Sequence, residues 1–127
     1  MEPVYLMKLA KEHQNWLSVR ENTIAQNVAN ANTPGYRAKD VEGFSTLFDK
    51  AHVRMASTQP GHMTAMAQAT RSVDVEKSDS WDITYSGNSV SLEQEMMKAG
   101  EVARDHTLTT NLIKSIHGMM MMAAKAQ

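Results

Sequence analysis

The sequence predicts a mainly α-helical chain, in which two long terminal helices form a coiled-coil-like hairpin around an irregular polar middle that can carry a short strand or hairpin. Three observations predict it. Apolar residues recur at helical spacing over residues 4–31 and again over 91–124. Across residues 32–90 that period fades and turn-forming residues take over. Material for a core is scarce, because Leu, Ile, Val and Phe supply only 22 of 127 residues, less than a packed domain ordinarily holds. Much of the 42% hydrophobic content is alanine and 11 methionines, and methionine specifies packing poorly. A chain of this length is a single unit. It can make amphipathic helices but is expected to borrow part of its core from partners, its helices forming fully on assembly.

In the first helix the apolar residues fall at Leu6, Ala10, Leu17, Ile24, Val28 and Ala31, with Leu9 and Trp16 widening the stripe. The steps alternate near three and four residues, the helical period. His13, Arg20 and Asn27 interrupt the seam, so it is a weak coiled coil by itself, and an ordinary amphipathic helix explains the same pattern. Arg20 and Asn27 need bonding partners on another helix, because a buried polar group is costly unless paired.

The helix must stop at Pro34. The residue before a proline is pushed out of the α region, so Thr33 is already extended. Pro34 then supplies the fixed φ of the first central turn position and Gly35 the positive φ that a type II turn needs next. Asn30 and Asn32 suit the helix exit, since Asn tolerates the left-handed region and bonds to local backbone. The wording around this corner is more specific than its physics. Asn27, Asn30 and Asn32, followed by Thr33, Pro34, Gly35 and Tyr36, resemble the N-terminal signature of the bacterial flagellar axial proteins, the rod, hook and hook-associated family.

After the corner, Val41, Phe44, Leu47 and Phe48 form a short apolar cluster with a helical turn or two beginning near Phe44. Residues 52–71 are polar and small, with Pro60-Gly61 as a second turn signal. Val73 and Val75 alternate with polar neighbours and Ile83-Thr84-Tyr85 is β-prone, so a short strand or two is possible. This middle is expected to be the mobile part of the isolated monomer.

Gly87-Asn88 reads as a turn before the second helix. Ser91 is a good N-cap, with Gln94 placed to complete a capping box. Glu93 and Glu95 lie in the first turns, where the helix dipole favours negative charge. Leu92, Met96, Ala99, Ala103, His106, Thr110, Ile113 and Met120 repeat at helical spacing, flanked by Val102, Leu112 and Ile116. Gly87, Asn88, Val90, Ser91, Leu92, Glu95 and Met96 resemble a Gly-Asn-x-Val-Asp-Leu-x-x-Glu-Met segment of one short rod protein of the flagellar axial family. Ser91 replaces its Asp, but both are strong N-caps. Residues 114–120 extend the likeness, while 102–111 lack the Ser-Arg-x-Tyr-Glu-x-Asn stretch of the other short rod proteins.

Composition excludes several classes. With 13 Lys+Arg against 14 Asp+Glu there is no basic surplus for a nucleic-acid groove. No cysteine means no disulfide framework. The first residues lack a basic region followed by an apolar run, and no stretch reaches the ~18 apolar residues of a membrane span. His106 and His117 are three helical turns apart, too far to share an ion, and His52 and His62 lack neighbouring acidic ligands. The acids from Asp74 to Asp82 lack the order of a calcium loop. Residues 119–122, four methionines, allow soft-metal binding, a membrane surface or adaptable helix packing; packing fits best, because a contiguous run points its thioethers all round the axis.

The expectation is a non-enzymatic structural subunit with no cofactor, metal or small-molecule substrate. The resemblance implies the proximal rod of the flagellar basal body, an axial tube in the periplasmic space that transmits motor torque. It implies as partners copies of the chain, other rod proteins, a membrane-ring adaptor and the flagellar export apparatus, with export independent of a cleaved signal. Leu6, Leu17, Ile24, Val28, Ala103, Ile113, Ile116 and Met120 are the expected assembly seam. The alternatives are another short rod subunit, or a small helical metal- or membrane-surface-binding protein. Deleting residues 119–122 separates the last from the others.

Overall fold

The structure, a computed structural model, describes residues 3–46, 75–78 and 80–125. Its element order is α1 (Pro3–Ala29), β1 (Lys39–Val41), β2 (Val75–Lys77) and α2 (Leu92–Lys125). Two long helices thus bracket a small antiparallel sheet in which Lys39 faces Lys77, Asp40 faces Glu76 and Val41 faces Val75. The fold is mainly helical, as its sequence predicts. Residues 44–46 are helical, in line with the turn expected at Phe44. Leu47, Phe48, His52, the Pro60-Gly61 turn, His62 and Val73 lie outside the described residues.

The helices run antiparallel. Asn27 meets Glu95 at 3.0 Å, Arg20 meets Glu101 at 3.7 Å and His13 meets Thr109 at 2.9 Å, so progress along α1 is retreat along α2. By that pairing Pro3 stands level with about Met119, and the rest of α2 projects beyond α1. Along α1 the buried column is Ala10, Leu17 and Ile24, a strict seven-residue repeat; along α2 it is Glu95, Val102, Thr109 and Ile116, again every seven. A seven-residue repeat keeps two helices in contact by supercoiling them left-handedly.

Trp16, Leu17, Ile24, Val41 and Val102 make the core cluster, with Val19 and Phe44 packed on its edge. Trp16 donates its indole N–H to the Glu42 carbonyl at 2.8 Å, and Phe44 meets the His13 ring edge-on at 4.7 Å. The sheet thereby caps one side of the helix pair. The core is small, and α2 leaves Met97, Leu108, Leu112 and Met119 about half exposed or more.

The expected seam is only partly the seam within the chain. Leu17, Ile24 and Ile116 are buried, and Leu6, Ile113 and Met120 are half-buried. Val28 and Ala103 are exposed. The stripe through Leu92, Met96, Ala99 and Ala103 is turned away from α1, with Met96 73% exposed. The reason is that polar residues hold the inner face of α2. Glu95 and Thr109 occupy the positions that apolar counting gives to their neighbours, because each finds a bonding partner on α1. Val28 follows Asn27 and points about 100° away from it around the helix. Ile83-Thr84-Tyr85 is not a strand; Thr84 opens a turn that the Gly87 N–H closes on the Thr84 carbonyl at 2.8 Å.

Candidate functional site

The corner after α1 is built as its residues require. Thr33 accepts the Tyr36 N–H at 3.3 Å across Pro34-Gly35, and Gly35 has φ +71°, the signature of a type II turn. Gly35 and Gly87 (φ +78°) are the only described residues with positive φ. Asn30 and Asn32 therefore do not use the left-handed conformation that Asn tolerates. Asn30 instead bonds back into its own helix, Nδ2 to the Gln26 carbonyl at 2.8 Å, and takes the Thr33 hydroxyl on Oδ1 at 3.2 Å. Asn32 is exposed at the apex.

The two motifs, fifty residues apart in sequence, meet as one structure. α1 ends with no basic residue in its last turn, leaving its last carbonyls in need of donors. Asn88 supplies them. Its side chain is 2% exposed, and Nδ2 lies 2.9 Å from the Asn30 carbonyl, 2.9 Å from that of Ala31 and 2.7 Å from that of Thr33. Two amide hydrogens are shared among three acceptors. Its Oδ1 accepts the Val90 N–H at 2.8 Å, so every polar atom of this amide is used. Two backbone bonds run beside it, Gly35 N–H to the Ser86 carbonyl and Ser89 N–H to the Tyr36 carbonyl, both 3.0 Å. Ser89 also takes the Ala38 N–H on its hydroxyl at 2.9 Å. A Cβ on Gly87 would sit 3.6 Å from the Gly35 Cα, and one on Gly35 would meet nothing within 4 Å. It is φ, not space, that calls for glycine at both places.

A second amide closes the knot from the helix side. Asn27 is fully buried and pairs with the backbone of Lys39, donating to its carbonyl at 2.6 Å and accepting its N–H at 3.0 Å. It imitates a neighbouring strand and docks β1 against α1. Its remaining hydrogen goes to Glu95 Oε2 at 3.0 Å, and the Tyr36 hydroxyl reaches its Oδ1 at 3.4 Å. Asn27 and Arg20 thus both find partners on α2.

Glu95, only 1% exposed, also takes Lys98 Nζ on Oε1 at 3.4 Å. Lys98 reaches Asp40 at 2.9 Å, and Asp40 meets Arg20 at 3.4 Å. Burial opposes the charged form of Asp40. The hydrogen bonds from Lys98 and the Val41 N–H, with the charges of Lys98 and Arg20, outweigh it and hold the carboxyl below its ordinary value. His13, between Trp16 and Phe44, is pushed below its ordinary pKa by burial, with Asp105 pulling the other way.

At the start of α2, Ser91 is the N-cap. Its hydroxyl stands 3.5 Å from the Gln94 N–H and donates to Glu93 at 3.1 Å, and its carbonyl opens the helix by accepting the Glu95 N–H. Val90 is half-buried, while Leu92 and Met96 point outward.

Sequence reasoning missed the reach of Asn88, read as a turn residue, and the burial of Glu95. The second has a local signal, since Glu95 falls one heptad before Val102; the first has none except the wording of its motif. The arrangement fixes geometry. Among the described residues no group of three or more His, Asp or Glu side chains could hold a metal ion, and no helix is long and apolar enough to cross a membrane.

Comparison with known proteins finds relatives of this chain and a family model that spans the corner. A family model described as flagella basal body rod protein matches residues 14–37, the end of α1 and the whole turn. The chain is 40% identical over 129 residues to the flagellar basal body rod protein FlgB of Agrobacterium fabrum, covering 98% of this chain and 96% of that one. It is 26% identical to the FlgB of Salmonella typhimurium and 25% identical to that of Escherichia coli, each over 90% of this chain and 89% of the relative.

Proposed function

The chain belongs to the FlgB family of flagellar basal body rod proteins, and from that membership we propose that it builds the proximal part of the rod and carries motor torque through it. Identity across nearly the whole length of a curated relative is the observation that supports this reading. The physical features suit it. A torque-bearing subunit needs an identical shape in every copy, and the clasp of Asn27, Asn88 and Glu95 fixes how the chain leaves α1 and enters α2. The exposed apolar residues of α2, Met97, Leu108, Leu112 and Met119 among them, offer area for neighbours. Such partners are copies of the chain and other rod proteins, then an adaptor at the membrane ring and the flagellar export apparatus. The rod section it joins lies in the periplasmic space.

The residues proposed to carry this role fall into two groups. Asn27, Asn30, Thr33, Pro34, Gly35, Tyr36, Gly87, Asn88, Ser91 and Glu95 set the corner. Leu6, Val28, Ala103, Ile113 and Met120, wholly or partly free of the intrachain seam, meet neighbouring subunits. A metal- or membrane-surface-binding role for residues 119–122 is not favoured by the family.

The test is deletion of the gene with complementation by the wild-type chain. Cells without it should retain membrane rings but build no rod and fail to swim. Normal rods in the deletion strain would refute the reading.

A further inference from the structure

The apolar seam does not by itself choose a register. Sliding α2 by one heptad along α1, about 10 Å by rise per residue, puts at each site the residue seven places later. Val102 takes the place of Glu95, Leu112 that of Asp105 and Ile116 that of Thr109, while Thr109 takes that of Val102 and Ala123 that of Ile116. Val102 and Ile116, buried in the observed register, again lie on the inner face, and Leu112, now 51% exposed, joins them. Counted by apolar groups the slipped pair is no worse. What the slip breaks is polar. Asn27 loses Glu95, Asp40 loses Lys98, Arg20 loses Glu101 and His13 loses Thr109. Asn88 is also drawn off the end of α1.

We infer that the polar knot of Asn27, Asn88 and Glu95 is the register pin of the helix pair: it selects one alignment among those the seven-residue repeat permits. Polar residues on an apolar seam are known to specify register at some cost in stability. Here the cost of misalignment is a buried Asn27 amide hydrogen without its acceptor, Asp40 without Lys98 and the last α1 carbonyls without Asn88, which no apolar gain in the slipped pair replaces. The inference concerns the chain itself and stands apart from its place in the rod.

The sequence has no cysteine, so disulfide trapping reads the register directly. Gln14 Nε2 lies 3.5 Å from Thr110 Oγ1; the pair Gln14→Cys with Thr110→Cys reports the observed alignment, and Gln14→Cys with His117→Cys reports the one-heptad slip. Under mild oxidation the otherwise wild-type chain should close the first pair and not the second. In the background Asn27→Leu/Asn88→Ala/Glu95→Leu the second pair should close at least tenfold more than in wild type, with helical ellipticity kept. Leu17→Ala, which removes apolar packing and leaves the knot, should lower stability without raising the slipped product. The inference is overturned if the triple variant gives no more slipped product than wild type. It is equally overturned if that variant loses its helix signal, if Leu17→Ala slips as readily, or if wild type closes both pairs alike.

Discussion

Asn88→Asp changes one group and almost no volume, so it isolates what the Asn88 amide does. The carboxylate can still accept the Val90 N–H, but it has no hydrogen to give to the carbonyls of Asn30, Ala31 and Thr33. Two donated hydrogens are lost, each worth about 1 kcal/mol net. A negative charge is also set against the C-terminal end of α1, already the negative pole of its dipole, for a further ~0.5–1 kcal/mol. The expected loss is about 3 kcal/mol, or a fall in melting temperature of roughly 9–18 °C for a chain of 127 residues. Asn88→Ala loses the same donors without the repulsion, and should be no worse than the aspartate. Because the introduced carboxyl regains one donor when it is protonated, the penalty should shrink below about pH 5. The assay is far-UV ellipticity of the purified chain against temperature and urea, at neutral and at acid pH. An Asn88→Asp chain that melts within a degree or two of wild type would refute the claim that this side chain caps α1.

Gly35→Ala puts a Cβ on a residue at φ +71° with open space around it, so backbone strain alone should cost ~1–2 kcal/mol. Swimming and rod completion should suffer more than with Pro34→Ala, which mainly frees the unfolded chain; the reverse order, with both exported, would argue against the type II corner. Asp40 has a lowered folded pKa, so its stabilising contribution is full above its unfolded pKa and is lost as pH falls through the folded one. Urea midpoints should therefore drop steeply below about pH 4, and Asp40→Asn should flatten that drop. His13 also has a lowered folded pKa, but for a histidine this means that the unfolded chain takes up the proton first. Stability should decline as pH falls from the unfolded pKa, about 6.5, toward the lower folded one, and His13→Gln should remove that slope in a midpoint-against-pH series.

What the sequence makes legible follows from how local each cause is. Pro34 and Gly35 dictate their turn from within four residues, and both long helices announce themselves by period. The inner face of α2 is less legible because two of its four buried positions are Glu95 and Thr109, which are tolerable there only through Asn27, Lys98 and His13. An apolar count then favours the stripe beside the inner one, through Ala103 in place of Val102. The strand at Lys39–Val41 has no pattern of its own, since it is held by the Asn27 amide and by β2. Asn88 acts on a helix end more than fifty residues away, and no local rule reaches that far. Recognising the two motifs places both pieces of the clasp in view, but only the fold shows that they are one.

A side-chain-resolution reconstruction of the rod, in basal bodies purified from cells that express this chain, tests both its place and its clasp. Density for the antiparallel α1–α2 pair is expected in the proximal rod, with Asn27 on Glu95 and Asn88 on the carbonyls that end α1. Rods that are complete without this chain, or a chain present there with its helices in another register, would contradict that expectation.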